Sequence, residues 1–507
     1  MRLRNFTNVL IIIVFGIAGC QPDGEVDPWW VFAPHSSQMI PTRALSNQLL
    51  PIAVETEGDI REQSIYQFSI SSSPPSLQPA DVIVKRGRGA ALVSITGSGE
   101  TVVSGECGNT VVGFCSLIHI LENPLVRELA GDLTGNNLIW DSTSVICITS
   151  NIRVPAGNTL LIQPGTIVTL AAQAEIIVEG SIDCDGEGSP VQFLPAVPGI
   201  PWGQIDHRPG ANAAYASVFF VGGGGNPSRA FGHSASQAVL GGEQCSVIAD
   251  NIVIMDCPGK ACGFLQSNIT VSNSLITRCD TGGEFAESLV QVSYSHILDI
   301  PDGDGAIDDD DNDGIYLFAP WNEGSNPSII KHCVFMTCED DAIDHNGANV
   351  LISDCVIDGM YHEGLAASNA NSATITNTLV INCEQGIEAG YGNPAIVVNH
   401  CTLLNNRIGL RFGDSYDWGC TGRINMTNSI IHDSDSLNVW NYDLTIEAPR
   451  EGTIGITYSI VNQAEYDSCT GCLTGTPSFN RDYQLLSGSI GNKAASDNLN
   501  MGILPFE

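Results

Sequence analysis

Residues 333–412 read CVFMTCEDDAIDHNGANVLISDCVIDGMYHEGLAASNANSATITNTLVINCEQGIEAGYGNPAIVVNHCTLLNNRIGLRF. Short β-branched runs alternate here with Gly, Asn and Asp, the punctuation of strands and turns. Cys333, Cys355, Thr378 and Cys401 recur at intervals of 22, 23 and 23 residues. Ser429 follows after 28, the excess fitting an insertion around Asp417–Gly422. Nine or ten residues past each comes a large aliphatic: Ile343, Leu365, Ile387, Leu410 and Val439. A period near 22 suits one coil of three strands and three turns, stacked into a solenoid. Neighbouring coils then lie roughly 4.8 Å apart, and equivalent residues form columns. The Cys/Thr/Ser column is expected to be interior, with Cys333, Cys355 and Cys401 as buried thiols behaving as small hydrophobes.

Working outward, earlier coils are visible at Ile269–Ala286 and Leu289–Ile300. The block 151–196 alternates apolar and polar residues between Pro-Gly turns. Its IQPGTIV and IIVEGSI, followed by PWGQI, resemble the opening coils of secreted bacterial right-handed parallel β-helix proteins of the pectate-lyase-like superfold. The C-terminal TPSFNRDYQLLSGSIGNKAA resembles the closing segment of such helices, which implies an extended strand across the last coil. Residues 28–127 differ. Their IVKRGRGAALVSITGSGETVVSG alternates like antiparallel strands and predicts a small β-sandwich or similar module. The reading is all-β: residues 1–20 a signal peptide, 21–127 a linker and small β module, 128–507 the β-helix with its closing segment.

The first twenty residues are MRLRNFTNVLIIIVFGIAGC. Arg2 and Arg4 precede an apolar core too short to span a bilayer. Ile17-Ala18-Gly19-Cys20 resembles the bacterial lipobox, which implies export and acylation, including palmitate, at Cys20. Gln21 in place of Asp points to the outer membrane. Lipid chains anchor at about 0.8 kcal/mol per buried CH₂. Net charge is −36 and lysines number four. Such a surface repels phosphate backbones and excludes nucleic acid as a partner. Sixteen cysteines follow Cys20, and in an exported protein disulfides are allowed. Cys107/Cys115, Cys257/Cys262 and Cys469/Cys472 are close enough to pair. The CxxC at 469–472 lacks the βαβ context of a redox motif.

Stacking the repeats aligns candidate chemistry. One column is Asp313, Asp341, Glu363, Gln385, Ile408; the column before it is Asn312, Asp340, His362, Glu384, Arg407. On the strand beyond come Tyr316, Asp344, Ala366, Glu388 and Arg411. Like charges one coil apart raise one another's pKa or recruit a cation; the bland alternative is a solvated acidic ridge. Upstream, residues 302–314 read DGDGAIDDDDNDG. Asp309, Asp311 and Asp313 before Gly314 have the spacing of a calcium loop, although Pro320 stands where an EF-hand carries Glu. Calcium ordering of this loop is the expectation, and a solvated acidic insertion is its alternative.

The segment from DDDNDGIYL to NNRIGLRFGD resembles β-helix proteins of unassigned activity, some joined to spore-coat-type kinase-like domains. It also resembles pectin-cleaving β-helix enzymes. In the polygalacturonase group, acids on neighbouring coils act as general acid and base, aided by a histidine and a basic pair. The resemblance implies that Asp340 and Asp341 are the acids and His362 the histidine. Two departures stand. Tyr361-His362-Glu363 replaces Gly-His-Gly, and Arg407 and Arg411 replace an Arg-x-Lys pair. With the stacked columns, the candidate catalytic set is Asp340, Asp341, His362, Glu363 and Arg411; His345 is a further candidate base. The leading expectation is a lipid-anchored protein binding a polysaccharide or another cell-envelope component. A polysaccharide lyase or glycoside hydrolase is the alternative, and a structural spacer or adhesin the third. Replacing Cys20 by Ser should release the protein from membranes. Fractionation and palmitate labelling check this; membrane-bound, labelled Cys20→Ser protein contradicts it.

Overall fold

The computed structural model describes residues 36–107, 113–301, 311–321, 326–413, 420–442, 453–466 and 469–506. From Val126–Asp132 onward the strands join one continuous parallel sheet. Each strand pairs with its counterpart one coil away. Val334 aligns with Val356, Leu379, Thr402, Ile430 and Ile460 in successive coils. Ile315, Ile343, Leu365, Ile387, Leu410 and Val439 align likewise. The register read from the 22- and 23-residue spacing is therefore the register of the coils.

Each coil turns its corners through single residues with positive φ. One corner column is Asn273, Tyr294, His332, Asp354, Asn377 and His400; another is Asp256, Arg278, Asp299, Thr337, Gly359 and Asn382. Left-handed backbone is cheapest for Gly, Asn and Asp, which is why these residues punctuate the repeat.

At most of these corners the next residue is a small donor that clips the turn. Across Asp354, the Cys355 thiol reaches the Ser353 carbonyl (3.1 Å), and across Asn428 the Ser429 hydroxyl reaches the Thr427 carbonyl (2.7 Å). Cys383 does the same across Asn382 (3.3 Å), and Ser267 across Gln266 (2.8 Å). The hydroxyls also accept from the coil before. Ser295 Oγ takes the Ser274 N–H, and Ser429 Oγ the Cys401 N–H (3.1 and 3.0 Å). Cys333, Cys355 and Cys401 are buried thiols as expected. Their job extends beyond that of a small hydrophobe, because they satisfy a corner carbonyl. Glycines before the aliphatic column have a different cause. A Cβ on Gly314, Gly364 or Gly386 would lie 2.5–2.6 Å from the next coil's carbonyl oxygen.

Three expectations are corrected. Among the proposed disulfides, Cys469–Cys472 forms. Cys257 and Cys262 remain buried thiols, and Cys115 is opposite Ser104, out of register with Cys107. The N-terminal module is a single eight-stranded sheet that curls around its own core rather than two separate sheets. Its core gathers Leu50, Val54, Phe68, Val82, Val103 and Ile118. The C-terminal segment is turn-rich, not an extended strand, and it runs back along the flank. Ile503 N–H bonds Thr402 Oγ1, Leu504 N–H bonds Asn377 Oδ1, and Phe506 meets His332 edge-on.

Module and tail cover a flank that the sequence made apolar on its outer side. Val253, Leu275, Leu298, Val334 and Val356 face outward there, packed with Ala53, Ala90 and Ile503. Sheets covered on both faces carry such near-continuous apolar runs. One buried ion pair fixes the contact: Arg86 Nε and Nη2 donate to Asp358 Oδ2 at 3.0 and 2.6 Å.

Ser429→Ala should leave the buried Cys401 N–H without an acceptor and cost about 1–3 kcal/mol. Ser429→Thr should restore most of it. The shift in urea midpoint checks both.

Candidate functional site

A second flank carries polar and aromatic side chains in place of the apolar run. Its outward column runs Glu284, Tyr316, Asp344, Ala366, Glu388, Arg411 and Trp440 in register. Tyr316 to Trp440 is five coil steps, roughly 24 Å at 4.8 Å per coil. The glycine-rich segment 222–237 covers the column's beginning. Lys260, buried under it, pairs with Glu284, bonds the Phe231 carbonyl (2.7 Å) and lies 4.4 Å from the Phe231 ring. Glu284 also accepts the His233 N–H at 2.9 Å.

Beside this floor, the turn after strand Val334–Cys338 supplies Asp340 and Asp341, and the next coil supplies His362 and Glu363. His362 Nδ1 stands 3.1 Å from Asp340 Oδ1 and 2.6 Å from Glu363 Oε2. The Glu363 N–H donates to Asp341 Oδ1 at 2.6 Å. Gln385 Nε2 donates to Glu363, and Arg411 Nη1 donates to Gln385 Oε1 at 2.8 Å. Arg411 also pairs with Glu388 (3.3 Å) and lies 5.4 Å from the Trp440 ring. All five candidate catalytic residues therefore belong to one connected network. On the other side, Asn346 Nδ2 donates to Tyr316 Oη and Tyr391 Oη, each at 3.1 Å.

The acids are not a solvated ridge. Asp313, Asp340, Asp341, Glu363 and Glu388 are all buried, with 8 % exposure or less. Burial, then the charges of Glu363 and Asp340, pushes Asp341 well above the usual carboxylate range. Burial and Glu388 push Glu363 the same way. Like charges this close disfavour full ionisation of the Asp341–Glu363 pair. Burial works against the charged form of His362. The Asp340 hydrogen bond and the charges of Asp341, Asp340 and Glu388 outweigh it, and the pKa is raised to about 9. His362 is thus an imidazolium at pH 7, a donor rather than a base. His345 lies inside the coil, where burial depresses its pKa; it is no base for this flank.

Of the expected calcium ligands, Asp309 lies outside the described residues, as does Cys20. Asp311 and Asp313 separate. Asp311 is half-buried, its Oδ1 3.1 Å from His233 Nε2. Asp313 is buried beside Asp340, Asp344 and Asp341, and both its oxygens lack a hydrogen-bond partner among the described residues. Two groups have ligand atoms within 4.8 Å of one another and fit a metal ion: Asp340, Asp341, His362 and Glu363; and His233, Asp313 and Asp344. Sequence reading missed His233, which comes from a non-periodic insertion. The isolated histidine in GGGGNPSRAFGHSAS was its one visible sign.

The fold is a right-handed parallel β-helix, and a family model described as "Right handed beta helix region" matches residues 290–447. No curated protein matches the chain. A solved structure similar to it is the enzymatically active domain of tailspike protein 2 of bacteriophage CBA120. The two share 8 % identity at a TM-score of 0.27, over 71 % of this chain and 48 % of the other. This chain therefore spans about half the length of that one.

Asp313, Asp341, Glu363 and His362 all have folded pKa values raised above the unfolded ones. Their stabilising contribution is full below the unfolded values, roughly 4 for the acids and 6.5 for histidine. It is lost as pH rises through the folded values, which for His362 means through about 9. Chelator-treated protein should melt at progressively lower temperature between pH 6 and 9.5. His362→Gln should flatten the upper part of that fall. A melting temperature that rises across this window contradicts the assignment.

Proposed function

We propose that this chain is a glycan-binding protein of the cell envelope, lipid-anchored at Cys20 in the outer membrane. Its contact surface is the flank from Tyr316 to Trp440. The observation that carries the reading is the in-register floor column of polar and aromatic side chains, whose smallest member, Ala366, lies between the Asp344 and Glu388 coils. Along it stand polar groups held in fixed geometry: Asn346 between two tyrosine hydroxyls, and Arg411 between Gln385, Glu388 and the Trp440 ring. Tyr361 is 43 % exposed beside His362. A sugar ring offers hydroxyls in a plane and an apolar face, which such aromatic and amide groups complement. A rigid solenoid also holds successive groups at a repeat that matches an extended polymer.

A catalytic version of the same site has its own support. A proton on the Asp341–Glu363 pair, beside Asp340 and the His362 imidazolium, is the pairing of acid and carboxylate that glycoside hydrolysis uses. His362, being charged, does not supply a lyase base.

Both readings meet in one experiment. The full chain in detergent is screened against neutral and acidic polysaccharides, reading binding and new reducing or unsaturated ends. Binding without product is expected. Trp440→Ala and Tyr361→Ala should each weaken it by roughly five- to tenfold, as truncating an anchoring aromatic does. Product formation abolished by Glu363→Gln establishes the hydrolase. Binding to no member of the panel overturns the glycan reading.

A further inference from the structure

We infer that His233, Asp313 and Asp344 form a site for a divalent metal ion of the zinc or manganese type. The site is assembled where segment 222–237 closes over the β-helix. It adjoins the Asp340–His362–Glu363 network, shares Asp344 with the floor column, and draws its residues from three separate parts of the chain.

The ligand set defines the ion. Asp313 comes from the turn before strand Ile315–Phe318, and Asp344 from strand Ile343–Asn346 one coil on. His233 comes from the covering loop, far earlier in sequence. Donor atoms of the three lie within 4.8 Å of one another. Opposed ligands around a zinc-type ion are separated by at most about 4.2 Å, twice the metal–ligand distance. A shift of a few tenths of an ångström in an exposed loop closes that gap. Calcium takes six to eight oxygens and has little use for imidazole. Imidazole with carboxylates suits zinc, manganese and iron.

Asp313 points independently to a cation. It is 1 % exposed, and both of its carboxylate oxygens lack a hydrogen-bond partner among the described residues. Its nearest influential charges are Asp340, Asp344, Asp341 and Asp311, all of its own sign. Burying a carboxylate without donors or counter-charge is costly. A metal ion gives both oxygens a partner and reverses the local field.

The histidine is positioned for the role. Its ring stacks on Tyr316 with centroids 4.2 Å apart and an interplanar angle of 15°. Its backbone N–H is held by Glu284, which is itself tied down by Lys260. Nε2 is 3.1 Å from Asp311 Oδ1, a carboxylate that holds the ring in place. Such support around a ligating imidazole fixes its orientation.

The test uses the full chain in detergent, stripped with chelator, then titrated calorimetrically with Zn²⁺, Mn²⁺ or Ca²⁺. Zn²⁺ or Mn²⁺ should bind and raise the melting temperature. Electron spin echo modulation of the Mn²⁺ form should show imidazole nitrogen. His233→Ala, an exposed loop change that leaves the coils intact, should weaken binding at least tenfold and abolish the nitrogen signal. Asp313→Asn should weaken it as well. Three results overturn the site: no binding of any of the ions, equal affinity in His233→Ala, or binding of Ca²⁺ alone. Glycan binding is read separately, so failure of this site and failure of the groove reading are distinguishable.

Discussion

Every coil of this solenoid has to reverse direction at corners made of a single left-handed residue, and each such corner strands a carbonyl that the sheet cannot satisfy. At most corners the structure answers with a hydroxyl or thiol one residue later, reaching back two residues to that carbonyl. Cys355 spans Asp354, Cys383 spans Asn382, Ser288 spans Glu287, and Ser459 spans Tyr458. Where the donor is Ser or Thr, its oxygen also accepts an N–H from the preceding coil. This corner bond explains why a chain whose described cysteines are mostly unbridged is nevertheless rich in cysteine. A thiol can take this place because it costs less to bury than a hydroxyl and still donates.

The corners set the register, and the register decides what the flanks can do. Strand spacing is fixed by backbone hydrogen bonds, so residues in one column cannot move apart to relieve repulsion or crowding. On the apolar flank this rigidity yields a surface that must be covered. The N-terminal module and the returning C-terminal segment cover it, with the Arg86–Asp358 pair at its centre. A pair this deeply buried contributes little net stability, but it makes the wrong placement of the module expensive. On the other flank the same rigidity holds Asp341 and Glu363 close together, and burial with mutual repulsion raises the pKa of both.

Most of this was legible where the sequence is periodic. The spacing of Cys333, Cys355, Thr378 and Cys401 placed the acid columns and brought Asp340, His362, Glu363 and Arg411 into one neighbourhood. Burial was not legible. In a helix with a covered flank, an outward position can be wet or dry, and nothing local distinguishes Asp341 from a solvated acid. Aperiodic pieces were also opaque. His233 reaches Asp313 through a sixteen-residue excursion from 222 to 237, and the C-terminal segment chooses a flank by long-range apolar contact rather than by strand propensity. The expected calcium loop failed to reveal its neighbour for the same reason: its spacing describes Asp311 and Asp313 and is silent about a histidine from three coils earlier.

Glycine and alanine residues along the second flank complete the physical picture. Gly241 and Gly263 precede Glu284 and Tyr316 in the floor column. A Cβ on Gly263 would lie 2.6 Å from the Phe231 ring, and one on Gly232 would collide with Glu284. Small residues thus let the covering loop seat against the first coils. Tyr316 then stops it with a flat ring on which His233 stacks. Beyond that point the floor column carries Asp344, Ala366 and Glu388, and no described loop reaches over it. The end of the loop-covered stretch is therefore written in one column of side chains, from glycine through tyrosine to acid. The buried carboxylates gather at the boundary, where a rigid backbone prevents them from separating and where only protons, a cation or a bound ligand can balance their charge.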